Sequence, residues 1–348
     1  MRVVVVGATG NVGTSLLDAL AADPAVDSIL GVARRRPAPE IAKTEWAEAD
    51  FAEDHLVPLF RGADAVVHLA WLIQPSHDEA RLRRTNVQGS TRLFRATADA
   101  GVPALVYASS VGVYSPGPKE RAVDESWPRE GLSTSFYGRH KAEVERRLDR
   151  FEREQPKTRV VRLRPGLIFK REAAAGIRRL FAGPFLVNPL LRPSLIPVVP
   201  DMPRLRFQAV HAEDAAEAYR LALTRDVRGA FNIAADPVLD PQELGRILGA
   251  RPVRISARVA RRLVELTWRL NLQPTPPGWL DLALGVPILD TTRARTELGW
   301  LPRHSAVEAL HDLLMGLREG AGRETPPLTV EKSRAEEVRT GVGQTEQR

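Results

Sequence analysis

The chain contains no cysteine. That excludes disulfides, thiolate nucleophiles and cysteine-held metals, and it suits a reducing, cytoplasmic setting. No run of 18 apolar residues occurs, so no membrane span is expected. No secretory-type leader stands ahead of Val3. The seven histidines do not recur at metal-ligand spacing, so no metal is expected. No internal repeat is visible. Acidic residues are outnumbered, 43 against 50 basic ones, giving a net charge of +7 and a pI near 10.1. Such a balance admits nucleic acid as a partner. The arginines, however, are scattered (Arg81, Arg83, Arg84, Arg92, Arg95) and lack the interleaved aromatics of a single-strand binder. An arginine-rich composition with an anionic small-molecule cofactor is the preferred reading, with no nucleic acid as partner. At 348 residues, 43% hydrophobic and 27% charged, the chain can hold one large globular domain or two smaller ones.

What is present begins at the N-terminus. Val3 to Val6 is a short, wholly apolar, β-branched run, the pattern of a strand buried on both faces. It stops at Gly7. Apolar residues then recur at Val12, Leu16, Leu17 and Leu20 with helical spacing. Between them stands Gly7-Ala8-Thr9-Gly10-Asn11-Val12-Gly13. A strand, a glycine turn and a helix N-terminus form a dinucleotide cradle: backbone N–H groups and the helix dipole face the pyrophosphate. Gly7, Thr9, Gly10, Asn11, Val12 and Gly13 are the candidate contacts, although the spacing is Gly-x-x-Gly-x-x-Gly. The next strand is expected at 28–33. An NAD site would place an acid at its end for the ribose 2′-hydroxyl. Ala33-Arg34-Arg35-Arg36 stands there instead. A guanidinium fork at Arg34 suits a 2′-phosphate, so NADP is favoured and NAD remains the alternative. Asp50 is a candidate acceptor for the adenine amino group.

Strand-like and helix-like segments alternate up to residue 165: strands at 65–69, 104–108 and 160–163, helices at 85–100 and 137–154. This is the rhythm of an α/β, Rossmann-type, doubly wound parallel sheet. The expected division is a dinucleotide-binding domain over 1–165, to which a later strand near 207–234 returns, and a smaller, mainly substrate-binding region over 166–322. Residues 323–348 are polar and aperiodic and read as a disordered tail. Between 184 and 199 the chain is rich in proline and aliphatic residues, as in an apolar lid or pocket wall. Helices are expected again at 212–223, 241–248 and 256–270.

Tyr137 and Lys141 lie four apart on one predicted helix and so share a face. A phenol has a pKa near 10. To act as a base near pH 7 it must fall by about 3 units, roughly 4 kcal/mol of preference for phenolate. A neighbouring ammonium is a charge of the right sign. Ser109 and Ser110 follow a buried strand, at the end where ligands of such sheets bind.

Several ordered segments carry a resemblance: GATGNVG (7–13), HLA (68–70), NVQGS (86–90), YASSVGVYS (107–115), YGRHK (137–141), LRPGLIF (163–169), FQAVHAEDAA (207–216), FNIA (231–234) and LGWLP (298–302). The chain resembles an extended short-chain dehydrogenase/reductase of the NAD-dependent epimerase/dehydratase family over residues 1 to about 320. The resemblance implies Ser110, four residues before Tyr114, as the hydroxyl that polarises the reacting oxygen, with Ser109 the weaker candidate. It implies Tyr137 as acid/base and Lys141 as the group that sets its pKa and binds the nicotinamide ribose. Leu69, Ala70, Asn86 and Pro165 become cofactor neighbours. A homodimer through the helices near 85–100 and 137–154 is also implied. Two positions depart from the family pattern. Phe207 stands where nucleotide-sugar epimerases carry a diphosphate-binding arginine, and Lys170 stands where glycine is common. With the apolar 184–199 segment, these favour hydride transfer at a secondary alcohol or carbonyl carbon of a hydrophobic small molecule. A UDP-sugar 4-epimerase-like isomerase is the alternative, and a non-catalytic dinucleotide-sensing regulator is a third reading.

Overall fold

Arg2–Val6, Ser28–Ala33, Thr44–Glu48, Ala65–His68, Ala104–Ala108, Arg159–Pro165 and Gly229–Ile233 are the seven strands of one parallel sheet. The computed structural model describes residues 1–37, 40–73, 78–181, 197–270 and 275–328. Across the sheet the order is 229–233, 159–165, 104–108, 65–68, 2–6, 28–33, 44–48, and every neighbouring pair is parallel. The chain runs outward from 2–6 to 44–48, then returns to place 65–68 on the other side of 2–6. That reversal is the topological switch point, where ligands of such sheets bind. The doubly wound Rossmann architecture expected from the sequence is therefore present.

The apolar run at the N-terminus has a direct physical reading. Val3 and Val5 enter one core with Leu16, Leu20 and Tyr219. Val4 and Val6 enter the other, with Leu93, Phe94, Val144 and Leu148. A strand alternates its side chains between faces, so a strand covered by helices on both sides must be apolar at every position.

The helix expected at 85–100 is broken. Glu79–Arg83 is followed by a π-helical turn, Arg84–Gly89, and then by Ser90–Asp99. The Ser90 hydroxyl donates to Asn86 O at 2.5 Å and Thr91 to Val87 O at 2.8 Å, local bonds that compete with the helical ladder. The other expected helices are observed as Asn11–Ala22, Phe136–Glu154, Ala212–Thr224, Pro241–Leu248 and Ala257–Arg269.

Beyond Pro165 the chain builds a three-stranded sheet. Phe207–His211 pairs parallel with Leu167–Phe169 and antiparallel with Ala235–Leu239, and helix Ala306–Glu319 packs on it through Ala309, Leu310 and Leu313. The next strand, 229–233, rejoins the main sheet beside 159–165. Most of the apolar 184–199 segment lies outside the described residues; Val198 and Val199 begin a short strand paired with Arg251–Arg254. Of the expected tail, residues 329–348 lie outside the description. Before them, Arg323 pairs with Asp18 at 3.0 Å and Leu328 is buried. No described helix is long and apolar enough to cross a membrane.

Helix Phe136–Glu154 is fastened to the sheet by charge. Glu145, fully buried, takes both Nε (2.9 Å) and Nη2 (2.6 Å) of the buried Arg164. Arg164 Nη1 donates to the Tyr114 hydroxyl and to Glu125 O, both at 2.9 Å. Tyr114 donates on to Asn232 Oδ1 at 2.6 Å. Arg129 and Arg162 reach the Glu145 carboxylate only at 3.5 and 3.7 Å, so removing Arg164 takes away the buried anion's closest counter-charge. Arg164→Met is expected to cost about 3–5 kcal/mol in chemical denaturation, and Arg164→Met combined with Glu145→Leu to recover much of that loss. Equal destabilisation in the single and double variants would rule out the buried charge as the cause.

Candidate active site

The glycine segment closes in on itself. Gly7 has φ of +90°, and a Cβ there would stand 2.5 Å from Ala70 N. At Gly13 a Cβ would meet Gly7 O at 2.4 Å. At Gly10 the closest atom would be Gly7 O at 3.4 Å, which leaves space in front of the turn. Helix Asn11–Ala22 has Gly10 as its N-cap and no side-chain cap, so its first-turn N–H groups face that space. These features fit a pyrophosphate. Thr9 is buried beside them, and Val12 packs against the core. Asn11 Nδ2 donates to Ile168 O at 3.1 Å, while its Oδ1 is buried without a partner.

Leu69 N and Ala70 N both donate to Val6 O, at 2.9 and 3.0 Å, which fixes the chain leaving strand 65–68 against the glycine turn. Arg34 is exposed at the end of strand 28–33. Asp50 spends one oxygen on Ala52 N at 2.9 Å and organises the turn that follows it. Asn86 is fully buried and holds Leu72: its Oδ1 accepts from Leu72 N at 2.7 Å and its Nδ2 donates to Leu72 O at 2.9 Å. Its amide therefore pins the 69–73 loop. Pro165 is buried at the end of its strand, paired with Ile233.

Ser110, Tyr137 and Lys141 come together at the carboxyl ends of strands 65–68 and 104–108. Ser110 caps a short 3₁₀ turn, its Oγ accepting from Gly112 N at 3.0 Å. Gly112 is a residue that the motifs did not single out. A Cβ there would meet the Tyr137 ring at 2.8 Å, so glycine is what lets the ring lie on the turn. Ser135 Oγ caps the Tyr137 helix at Gly138 N. Ser109 is separate: it donates to Glu145 at 2.5 Å and belongs to the buried charge network.

Lys141 Nζ donates to Ala108 O at 2.7 Å and lies 3.6 Å from the centroid of the Trp71 ring. It stands 5.8 Å from the Tyr137 ring centroid. The other side of Tyr137 packs on Trp279, 5.1 Å between centroids. Leu82, Leu132, Phe136 and Leu282 complete this wall. The electrostatics differ from the sequence expectation of a depressed phenol. Burial pushes Tyr137 up to about 12, with Ser110 pulling the other way. Burial also drives Lys141 well below its usual value, against Glu145. For both groups desolvation is the largest influence. His68 is likewise held neutral, down to about 3, by burial and then by Lys141; its Nε2 lies 2.8 Å from Ser90 Oγ.

The two departures also have places. Lys170 is buried and donates to Thr14 Oγ1 at 2.6 Å and Ser15 Oγ at 3.2 Å. It ties the strand after Pro165 to the helix behind the glycines. Phe207 starts strand 207–211. Arg206 offers its carbonyl to Lys119 Nζ at 2.6 Å. Asp214 does more than begin its helix: its carboxylate accepts from the backbone N–H of Arg303 and His304, both at 2.9 Å. Trp71 and Trp279 carried no sequence signal, because nothing in their local context marks them as neighbours of residue 137.

The chain is 27% identical over 334 residues to an uncharacterised protein of Mycobacterium tuberculosis, covering 90% of this chain and 83% of that one. It is 26% identical over 341 residues to the 4-hydroxy-2-methyl-3-oxo-4-farnesyl-3,4-dihydroquinoline-1-oxide ketoreductase of Stigmatella aurantiaca, covering 92% of this chain and 98% of that one. Among solved structures, the UDP-glucuronic acid 4-epimerase of Bacillus cereus in complex with NAD has the same fold, with a TM-score of 0.67 at 17% identity, covering 92% of this chain and 99% of that one. Residues 3–234 match the model of one family. The glycine cradle, the Tyr137–Lys141 helix and this match agree: the chain belongs to the NAD-dependent epimerase/dehydratase family.

Proposed function

We propose that this protein is an NADP-preferring reductase or dehydrogenase acting on an apolar ketone or secondary alcohol in the cytoplasm. The observation that carries the reading is the setting of Tyr137. Its phenol sits beside Ser110 at the carboxyl edge of the sheet, walled by Trp71, Trp279, Leu132, Phe136 and Leu282. Such a wall favours rings and aliphatic chains over a sugar. The Stigmatella ketoreductase named above acts on a farnesylated quinoline, a substrate of that character. Phe207, in place of a diphosphate-binding arginine, points the same way.

The dinucleotide, when bound, supplies or accepts the hydride. The residues of this chain handle everything else. First-turn N–H groups of helix 11–22 hold the pyrophosphate, and the exposed Arg34 takes the 2′-phosphate. Lys141, whose Nζ is held at the site by Ala108 O, reaches the ribose hydroxyls. Ser110 donates to the substrate oxygen and stabilises the charge that develops there. Tyr137 gives its proton to that oxygen as the carbonyl is reduced, and takes one from the hydroxyl in the reverse direction. With its pKa pushed up to about 12 by burial, Tyr137 keeps its proton at neutral pH, which suits the donor role.

Tyr137→Phe should lower turnover by about 10²–10⁴-fold while NADPH affinity, read by fluorescence titration, stays within about twofold of wild type. Unchanged turnover would sink the mechanism. Because the phenol titrates high, ketone reduction should hold level from about pH 6 to about pH 9, whereas alcohol oxidation, which needs the phenolate, should climb over the same range. An oxidation rate that falls with rising pH contradicts this assignment. For the cofactor, Arg34→Ala should weaken NADPH binding by about 10–100-fold and leave NADH nearly unaffected, as expected for a charge-assisted bond to phosphate. Equal effects on both cofactors would refute the 2′-phosphate role.

A further inference from the structure

Exposed apolar side chains are concentrated in one part of this molecule. Seven of the eight large ones among the described residues are Val198, Val253, Ile255, Val259, Leu263, Leu266 and Leu270. The last four lie on helix Ala257–Arg269 and its C-cap, at i, i+4, i+7 and i+11, and form one stripe. They are 61%, 61%, 54% and 58% exposed, and the helix has no buried residue at all. The other three lie on the short parallel ribbon 198–201/251–254 and on the residue that follows it towards the helix. Val198 pairs with Arg251 in the adjoining parallel ribbon, so it shares a face with Val253 and Ile255, two and four residues further along.

Charge is concentrated in the same place. Residues 251–270 hold six arginines and one glutamate, and no acid occurs from 251 to 264. Exposed Arg258 and Arg262, with Arg269 at the far end paired to Glu265, form a second row about a quarter turn round the helix from the apolar stripe. On the remaining side, Arg261 ties the helix to Asp281 of helix Gly278–Gly285 at 2.9 Å. Within the helix, Glu265 pairs with Arg261 at 3.2 Å and with Arg269 at 2.6 Å. The stripe lies on the side away from that tie.

We propose that the outer face of helix Ala257–Arg269, with the adjoining 198/251–255 ribbon, is a docking surface for an anionic lipid bilayer. A row of aliphatic residues flanked by arginines is what an interfacial helix needs. The aliphatics enter the boundary between headgroups and acyl chains, and the arginines meet lipid phosphates. A second copy of the chain fits less well: an antiparallel two-fold contact on this face would bring two arginine rows together. The surface does not depend on the chemistry assigned to Tyr137.

The test is vesicle sedimentation with the full chain. Phosphatidylcholine vesicles are compared with vesicles in which about a third of the lipid is phosphatidylglycerol, at low and raised salt. The protein should pellet with the anionic vesicles and stay in solution with the neutral ones, and salt should weaken the binding. Arg258→Glu with Arg262→Glu should weaken partitioning by about 30-fold or more. Leu263→Ser with Leu266→Ser should also lose binding, with the circular dichroism and melting temperature of wild type showing that both variants fold. Absence of wild-type binding, equal binding to both vesicle types, or wild-type binding by both variants would each overturn the proposal. So would loss of an oligomer, read by light scattering, in the Leu263→Ser/Leu266→Ser variant without any vesicle binding by wild type; the face would then belong to a second copy.

Discussion

The carboxylate of Glu145 is the point on which the site depends. Burial alone would raise its pKa, but the Arg164 guanidinium, helped by Arg162 and by the Ser109 hydroxyl, holds it below the usual range. Two opposed charges in the interior are tolerated only when each finds its full set of partners. Here they do, and the result is positional. Helix 136–154 is drawn onto strand 159–165, and Ser109 is bonded to the same carboxylate. Ser110 is the next residue, and Tyr137 lies two helical turns before Glu145. One buried anion thereby helps fix the distance between the two hydroxyls proposed to meet the substrate.

A second constraint acts at the other end of the cleft. Gly7 can approach Ala70, and Gly13 can approach Gly7, only because neither carries a Cβ. Lys170 then locks the back of this turn to the strand after Pro165 through Thr14 and Ser15. Burial pushes its ammonium down to about 8, against the pull of the Glu172, Asp18 and Glu213 carboxylates. The glycine turn and the strand after Pro165 are in this way joined by Lys170 and by the Asn11–Ile168 bond. Asn86 plays a similar part for the 69–73 loop, which carries Trp71 over Lys141. The residues that would touch ligand are few, and most of the specific polar chemistry around them serves to hold loops.

The positive charge of the chain divides into two populations. Some arginines are structural: Arg159 bonds Ala222 O and Val227 O, Arg162 meets Asp149, and Arg220 bridges Asp23 and Glu217. Others lie exposed beside aliphatic side chains on helix 257–269. Composition alone cannot separate the two, because an arginine bonding carbonyls and one facing solvent count equally towards the net charge.

Much of the sheet was legible in the sequence. Val3 to Val6 is apolar at every position because both faces of that strand are covered. The glycines mark a turn that no other residue can make, and the spacing of Tyr137 and Lys141 places them on one helical face. These are local properties, set by backbone sterics and by side-chain period. What only the tertiary structure decided depends on residues far apart in the chain. Trp71 and Trp279 flank Tyr137 from segments some 200 residues apart. Asn86 is spent on Leu72. Without a cofactor's charge beside it, the phenol of Tyr137 is pushed up by burial, with Ser110 pulling the other way. Glycine spacing is enforced within a few residues; desolvation is enforced by everything packed around the group.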